Sequence, residues 1–239
     1  SEEVWQSLRI APASHVVKRN LPMVMTFDQY FHLDPAGRKQ VRARLDNLPP
    51  SSGGVPAPAP NYEAQQSPLA YAVLAVADLA LASQRLLFRV WCLRLLCGLA
   101  SVAASVFVAS RLARQLGMTE EFGQAAVCVL LSSQMFYATT AHIANDWLAI
   151  PLSALVVSLA IDLYRAPAMG SALRFALGLA AGLLTKASFL AFVPFAAGVV
   201  IWLAATRRRR RRPALAAAGC VLALAGPWPA SSRPCSPVP

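Results

Sequence analysis

The chain has 239 residues, 56% hydrophobic and 14% charged, whereas an ordinary soluble domain carries about 25% charged residues. That composition excludes a disordered chain, and five cysteines with no CxxC pair exclude a disulfide scaffold and give no zinc or redox site. The net charge of +11 disfavours a basic DNA-binding domain, because six arginines run together at Arg207–Arg212 directly after an apolar block; a basic cluster there is a membrane-topology signal, and no nucleic-acid partner is expected.

Residues 1–66 form a polar front holding six of the 11 acidic and seven of the 22 basic residues. The chain starts at Ser1 rather than Met and reads as a piece of a longer protein. Two amphipathic stretches stand out. Val4–Val17 places Val4, Trp5, Leu8 and Ala11 on one helical face. Asp34–Leu48 places Val41, Leu45 and Leu48 on one side among Arg38, Lys39, Arg42 and Arg44. Such an Arg-rich helix either lies flat on a membrane surface or is a solvated helix in a loop domain. Pro49–Pro60 is too rich in Pro and Gly for a helix and reads as an exposed connector.

From residue 67 to 228 the chain is a series of apolar blocks. A bilayer core needs about 20 apolar residues per helix. Ser67–Ser83 reaches the lower limit and carries Asp78. Leu95–Ser110, extended at both ends, Phe122–Ala141, Trp147–Tyr164 and Phe189–Thr206 are good spans. Ser171–Thr185 is short without Lys186, and Ala214–Trp228 begins one more. Four of the cysteines (Cys92, Cys97, Cys128 and Cys220) sit in these blocks as small hydrophobes. The expected fold is therefore all-α, a multi-pass transmembrane bundle of about six spans, followed by an unstructured tail at 229–239. Cytoplasmic placement of Arg111 and Arg114, of Arg165 and Arg174, and of Arg207–Arg212 makes the helices alternate consistently. The 141–146 and 185–186 corners then face outside. Gly178 and Gly182 form a GxxxG pair, a helix-packing signal.

Charged residues within membrane spans need a reason. His142, Asn145 and Asp146 lie at the outer start of a helix, where they read as a cap or as a polar site. Lys186, in Gly-Leu-Leu-Thr-Lys-Ala-Ser, lies at the same face and either snorkels or holds a phosphate. Asp162, near the cytoplasmic end, reads as a surface residue. In the front, the segment from Asn61 to Tyr71 brings Tyr62, Glu63, Gln65 and Gln66 to the membrane entrance.

Four motifs in order carry a resemblance: Tyr62-Glu-Ala-Gln-Gln-Ser-Pro-Leu-Ala-Tyr, Leu93-Arg-Leu-Leu through Arg111-Leu-Ala-Arg-Gln-Leu-Gly, Ala144-Asn-Asp-Trp-Leu-Ala, and Gly178-Leu-Ala-Ala-Gly-Leu-Leu-Thr-Lys-Ala-Ser. Over residues 60–228 the chain resembles the membrane half of the GT-C glycosyltransferases, which include protein O-mannosyltransferases and aminoarabinose transferases. It departs from that pattern in lacking a first membrane helix and the usual C-terminal part, and in reading Gln-Gln-Ser-Pro at the entrance. The resemblance implies a polyprenyl-phosphate sugar donor, an acceptor of unknown identity, and catalysis at the extracytoplasmic face of a bacterial inner membrane. It also implies an acidic residue in the first outer loop; Glu2 and Glu3 stand at that place. Lys186 suits the departing phosphate, with Tyr62, Glu63, Gln65, Gln66, His142, Asn145 and Asp146 as further substrate contacts. No cofactor is called for, and a divalent metal stays open. The rival readings are a multi-pass transporter, a non-catalytic membrane scaffold and an inactive fragment. The chain has no paired repeat of interrupted helices, the stronger pointer to a transporter.

Overall fold

The computed structural model describes residues 6–7, 9–12, 25–48 and 67–206. Glu2, Glu3, the Pro49–Pro60 connector, Tyr62, Glu63, Gln65, Gln66, the Arg207–Arg212 run, Ala214–Trp228 and the tail lie outside the described residues. Among the described residues the regular structure is helical, with no strand. Backbone contacts group the chain into two compact units, one of 1–62 with 74–94 and the other of 63–73 with 95–239.

In the first unit, α1 (Phe27–His32) opens with a capping box. The Thr26 hydroxyl accepts from the Gln29 N–H at 3.1 Å, and the Gln29 side chain accepts from the Thr26 N–H at 2.9 Å. The signal Thr-Phe-Asp-Gln was present in the sequence, but an apolar-periodicity reading passes over so short a helix. After the Leu33-Asp34 corner, α2 (Pro35–Asp46) begins with Pro at its first position and Asp34 accepting from the Gly37 N–H at 2.7 Å. This is the expected Asp34–Leu48 helix. Within the same unit, Asp78 and Arg89 join the two sides of the 81–85 turn with a forked ion pair. Arg89 Nε donates to Oδ1 at 2.9 Å and Nη2 to Oδ2 at 2.6 Å.

That turn connects α3 (Leu69–Ala80) to α4 (Leu86–Gln115). With 12 residues, α3 is about 18 Å long, shorter than a bilayer core. α4 has 30 residues and is about 45 Å long. It ends in a left-handed Gly117 (φ 72°), with the Met118 N–H reaching the Ala113 carbonyl at 3.0 Å and the Gly117 N–H reaching Arg114 at 3.2 Å. The expected Phe122–Ala141 span is divided into α5 (Glu120–Ser132) and α6 (Gln134–Thr140). Ser133 between them is extended (φ −75°, ψ 112°), and the Ser132 hydroxyl bonds back to the Cys128 carbonyl at 2.6 Å.

α7 (Asp146–Arg165) matches the expected Trp147–Tyr164 span to within a residue at each end. α8 (Met169–Leu183) packs along it, and a 3₁₀ turn (Ala187–Ala191) leads into α9 (Phe192–Thr206). Val156, Leu159 and Leu163 of α7 meet Phe175, Ala176 and Leu179 of α8, with Phe189 and Ala196 closing the core. Gly178 permits the close approach expected of it. A Cβ there would stand 2.8 Å from Leu159 Cδ1. Gly182 serves a different contact, the ring of Phe189 in the chain's own return.

Among the described residues, two helices, α4 and α7, are long and apolar enough to cross a membrane. Only 28% of the most apolar window of α4 and 44% of that of α7 is buried within the protein. The exposed side of α4 carries Leu95, Leu96, Leu99 and Phe107, while its buried side mixes Leu93, Cys97, Val108 and Ala113 with the hydroxyls of Ser101 and Ser105. A soluble core helix would not leave so many large apolar side chains on its outer side.

Candidate functional site

The site assembles at the junction of α7 and α8. The first turn of α7 supplies Asp146, and the break after α8 supplies Lys186, which is extended at φ −155° and ψ 137°. The Lys186 ammonium pairs with Asp146 Oδ1. A carboxylate in the first turn of a helix also faces the positive end of its dipole. Both side chains remain about one third exposed, at 36% and 32%, so the pair is reachable from outside the protein. An ammonium has three N–H donors, so the contact with Asp146 leaves donors for a second anion.

The end of α8 explains why Lys186 is held there. A helix terminus leaves its last carbonyls without intrahelical donors. Here the Ser67 hydroxyl donates to the Leu183 carbonyl at 2.9 Å, and the Leu69 N–H donates to the Leu184 carbonyl at 2.8 Å. The N–H groups of Thr185 and Lys186 both return to the Gly182 carbonyl at 2.9 Å. Thr185 is fully buried, and its hydroxyl donates to the Ala181 carbonyl at 2.7 Å. The segment that follows Gln66 is thus fastened beside Lys186.

Of the residues singled out in the sequence, the structure brings together Asp146 and Lys186, 40 positions apart, and adds Ser67, which was not singled out. Asn145 occupies the N-cap position of α7 and is buried, yet its side chain makes no capping hydrogen bond. Capping therefore does not account for Asn145. His142 is exposed on the preceding turn. No hydrogen bond joins its ring to Asp146 or Lys186 among the described residues. Glu2, Glu3, Tyr62, Glu63, Gln65 and Gln66 lie outside the described residues. Among the described residues, no group of three or more His, Cys, Asp or Glu side chains is arranged to hold a metal ion.

A second polar cluster joins α4 to α7. Arg111 Nη2 pairs with Asp162 Oδ2, and Arg111 Nε donates to the Ser158 hydroxyl at 2.8 Å. Gln115 Nε2 donates to Asp162 Oδ1 at 2.6 Å, and the Ser158 hydroxyl donates to Gln115 Oε1 at 2.8 Å. Asp162 is therefore a partly buried member of a network rather than the surface residue expected. Further along α4, the buried hydroxyls of Ser101 and Ser105 have no hydrogen-bond partner among the described residues, nor does the indole N–H of Trp147 in α7. A cleft of about 420 Å³ lies where α4 meets α5, lined by Arg114, Met118, Thr119, Glu120 and Gln124 among others. It carries charges of both signs and contains none of the candidate substrate-contacting or catalytic residues, though its lining includes Arg114, a topology marker in the sequence.

Comparisons with protein families, with curated proteins and with solved structures found no match for this chain.

Proposed function

We propose that the chain is the membrane portion of a GT-C-type glycosyltransferase. In this reading it is a multi-pass protein of a bacterial inner membrane, with α4 and α7 as two of about six spans. A sugar moves from a polyprenyl-phosphate donor to an acceptor hydroxyl at the extracytoplasmic face. The acceptor oxygen bonds to the anomeric carbon, the bond from that carbon to the phosphate oxygen breaks, and the hydroxyl proton passes to a carboxylate. The observation that carries the reading is the Lys186–Asp146 pair beside the fastened Ser67–Leu69 segment. Lys186 would face the lipid-linked phosphate as a compact point charge, and Asp146 would hold its ammonium in position. Glu2 and Glu3 keep the role of acceptor base that the family resemblance gives them.

The test is binding of polyprenyl phosphate to the chain in nanodiscs. Lys186→Met should weaken it at least tenfold, about the loss of one charge-assisted hydrogen bond. Lys186→Arg should weaken it less. Equal binding by wild type and Lys186→Met would remove the phosphate from this site. Topology has its own test. Cysteines at positions 143 and 209 should label from opposite sides of sealed vesicles, and labelling from one side would refute the arrangement of spans.

A further inference from the structure

The polar front holds an apolar feature that the junction site does not use. In α2 the apolar residues Val41 and Leu45 are half-buried, and Leu48 just beyond its end is buried, so this face is turned into the protein. The apolar side chains left outside belong to α1. Phe27 and Phe31 are 47% and 66% exposed and stand four residues apart, on one face of that helix. Their position is built. The capping box fixes the start of α1, the Asp34 cap fixes the start of α2, and Arg38 Nη1 donates to the Phe31 carbonyl at 3.2 Å. That bond ties the Arg38 side chain to the backbone at the end of α1. Lys39, Arg42 and Arg44 are exposed along α2. Of the acidic residues of this segment, Asp28 faces His32, the N-cap Asp34 accepts from the Gly37 N–H, and Asp46 stands half-buried at the end of α2.

We propose that α1 and the cationic side of α2 form an interfacial anchor for an anionic phospholipid surface. Phe27 and Phe31 enter the boundary between headgroups and acyl chains. Arg38, Lys39, Arg42 and Arg44 meet the lipid phosphates, their stems lying along the apolar layer. A lipid surface fits better than a protein groove because the exposed side chains of these two consecutive helices combine aromatic rings with cations, matching acyl chains and phosphates. An anchor this small binds weakly alone, but the described residues of its chain include two helices long and apolar enough to cross a membrane. The tether raises its effective concentration at the surface. The inference is independent of the sugar-transfer reading and stands or falls without it.

The experiment uses the whole chain in nanodiscs containing brominated lipid. An environment-sensitive fluorescent amino acid replaces Phe31, Phe27 or the exposed Gln40 in turn. In discs containing phosphatidylglycerol, positions 27 and 31 should be quenched and position 40 should not. High salt should reduce the quenching. Each of Lys39→Gln, Arg42→Gln and Arg44→Gln should lower the preference for anionic over neutral discs about fivefold. These substitutions are at exposed positions and leave both helix caps intact. An unquenched, water-like signal at 27 and 31 overturns the proposal. So does equal quenching in neutral discs that combining Lys39→Gln, Arg42→Gln and Arg44→Gln leaves unchanged. A blue-shifted but unquenched signal also overturns it, because the rings would then be covered by protein.

Discussion

Gly182 sets a sharp condition on the return of the chain towards α9. A Cβ at this position would stand 2.8 Å from Phe189 Cγ and closer still to Cδ1 and Cε1. Carbon atoms in contact settle at about 3.5–4.0 Å, so an added methyl intrudes by roughly 1 Å or more. Phe189 is 1% exposed and stacks on Phe192 with ring centroids 5.4 Å apart, which leaves its ring no open space to enter. Overpacking of this kind costs about 3 kcal/mol, and the better helix propensity of Ala returns about 1 kcal/mol. Gly182→Ala should therefore destabilise the protein by about 2 kcal/mol, a fall in Tm of about 4–8 °C for a chain of this size. Gly178→Ala meets only the flexible end of Leu159 and should cost less than about 1 kcal/mol. Gly170 is exposed with nothing within 4 Å, so Gly170→Ala should be neutral or slightly stabilising. Thermal unfolding of the three variants in one detergent gives the order. Phe189→Leu in the Gly182→Ala background should recover part of the loss, in a double-mutant cycle with a coupling of at least about 1 kcal/mol. Equal stability of Gly182→Ala and Gly170→Ala, or no coupling to Phe189, would refute the reasoning. The Phe189 N–H bonds to the Lys186 carbonyl at 3.0 Å, so a displaced ring should also disturb Lys186 and weaken polyprenyl phosphate binding.

Four further outcomes follow from the geometry. Asp162→Ala leaves the Arg111 guanidinium without its carboxylate and Gln115 with the Ser158 carbonyl as its remaining acceptor, and should cost about 2 kcal/mol in thermal unfolding. Arg111→Met combined with Asp162→Leu should lie close to wild type, since an apolar pair requires no partner; a double variant as unstable as the single one would contradict this. Gly117→Ala should cost about 1 kcal/mol, because a Cβ is strained at φ 72° even with open space around it, and an unchanged Tm would count against the left-handed cap. Asp146→Asn should loosen Lys186 and weaken polyprenyl phosphate binding less than Lys186→Met does; a stronger effect than that of Lys186→Met would give Asp146 a direct role at the phosphate.

The helical class and several boundaries were legible because they follow from local chemistry. α7 is an unbroken apolar run between Asp146 and Arg165, and α2 begins where Asp34 and Pro35 say it should. The longer reach of α4 was only partly legible. Arg89 and Arg94 interrupt its hydropathy, and a sequence sum does not register that Arg89 is paired with Asp78. The division at Ser133 was hidden because one extended serine barely changes the hydropathy of a 20-residue block. At the site, Asp146 and Lys186 were each readable as misplaced charges, but their pairing is a tertiary fact across 40 residues. Ser67 gave no signal, since a hydroxyl that satisfies the carbonyl at a helix end is an ordinary serine until the fold is known. Asp162 was read as a surface residue because Arg111, 51 positions earlier, was read only as a topology marker.

That separation has a consequence for biosynthesis. In the proposed membrane arrangement, α4 leaves the ribosome well before the carboxylate that neutralises Arg111. At about 5–20 residues per second, the 51 positions between them take on the order of 3–10 s to synthesise. During that interval Arg111 can keep its charge only by reaching for water at the cytoplasmic edge, which resists any deeper slip of α4 into the translocation channel. The arrival of Asp162 on α7 removes that restraint and joins the two helices in the same step. A nascent chain stalled before residue 162 should therefore hold α4 as a separate, readily extracted helix, whereas one stalled well after residue 165 should resist extraction by alkali.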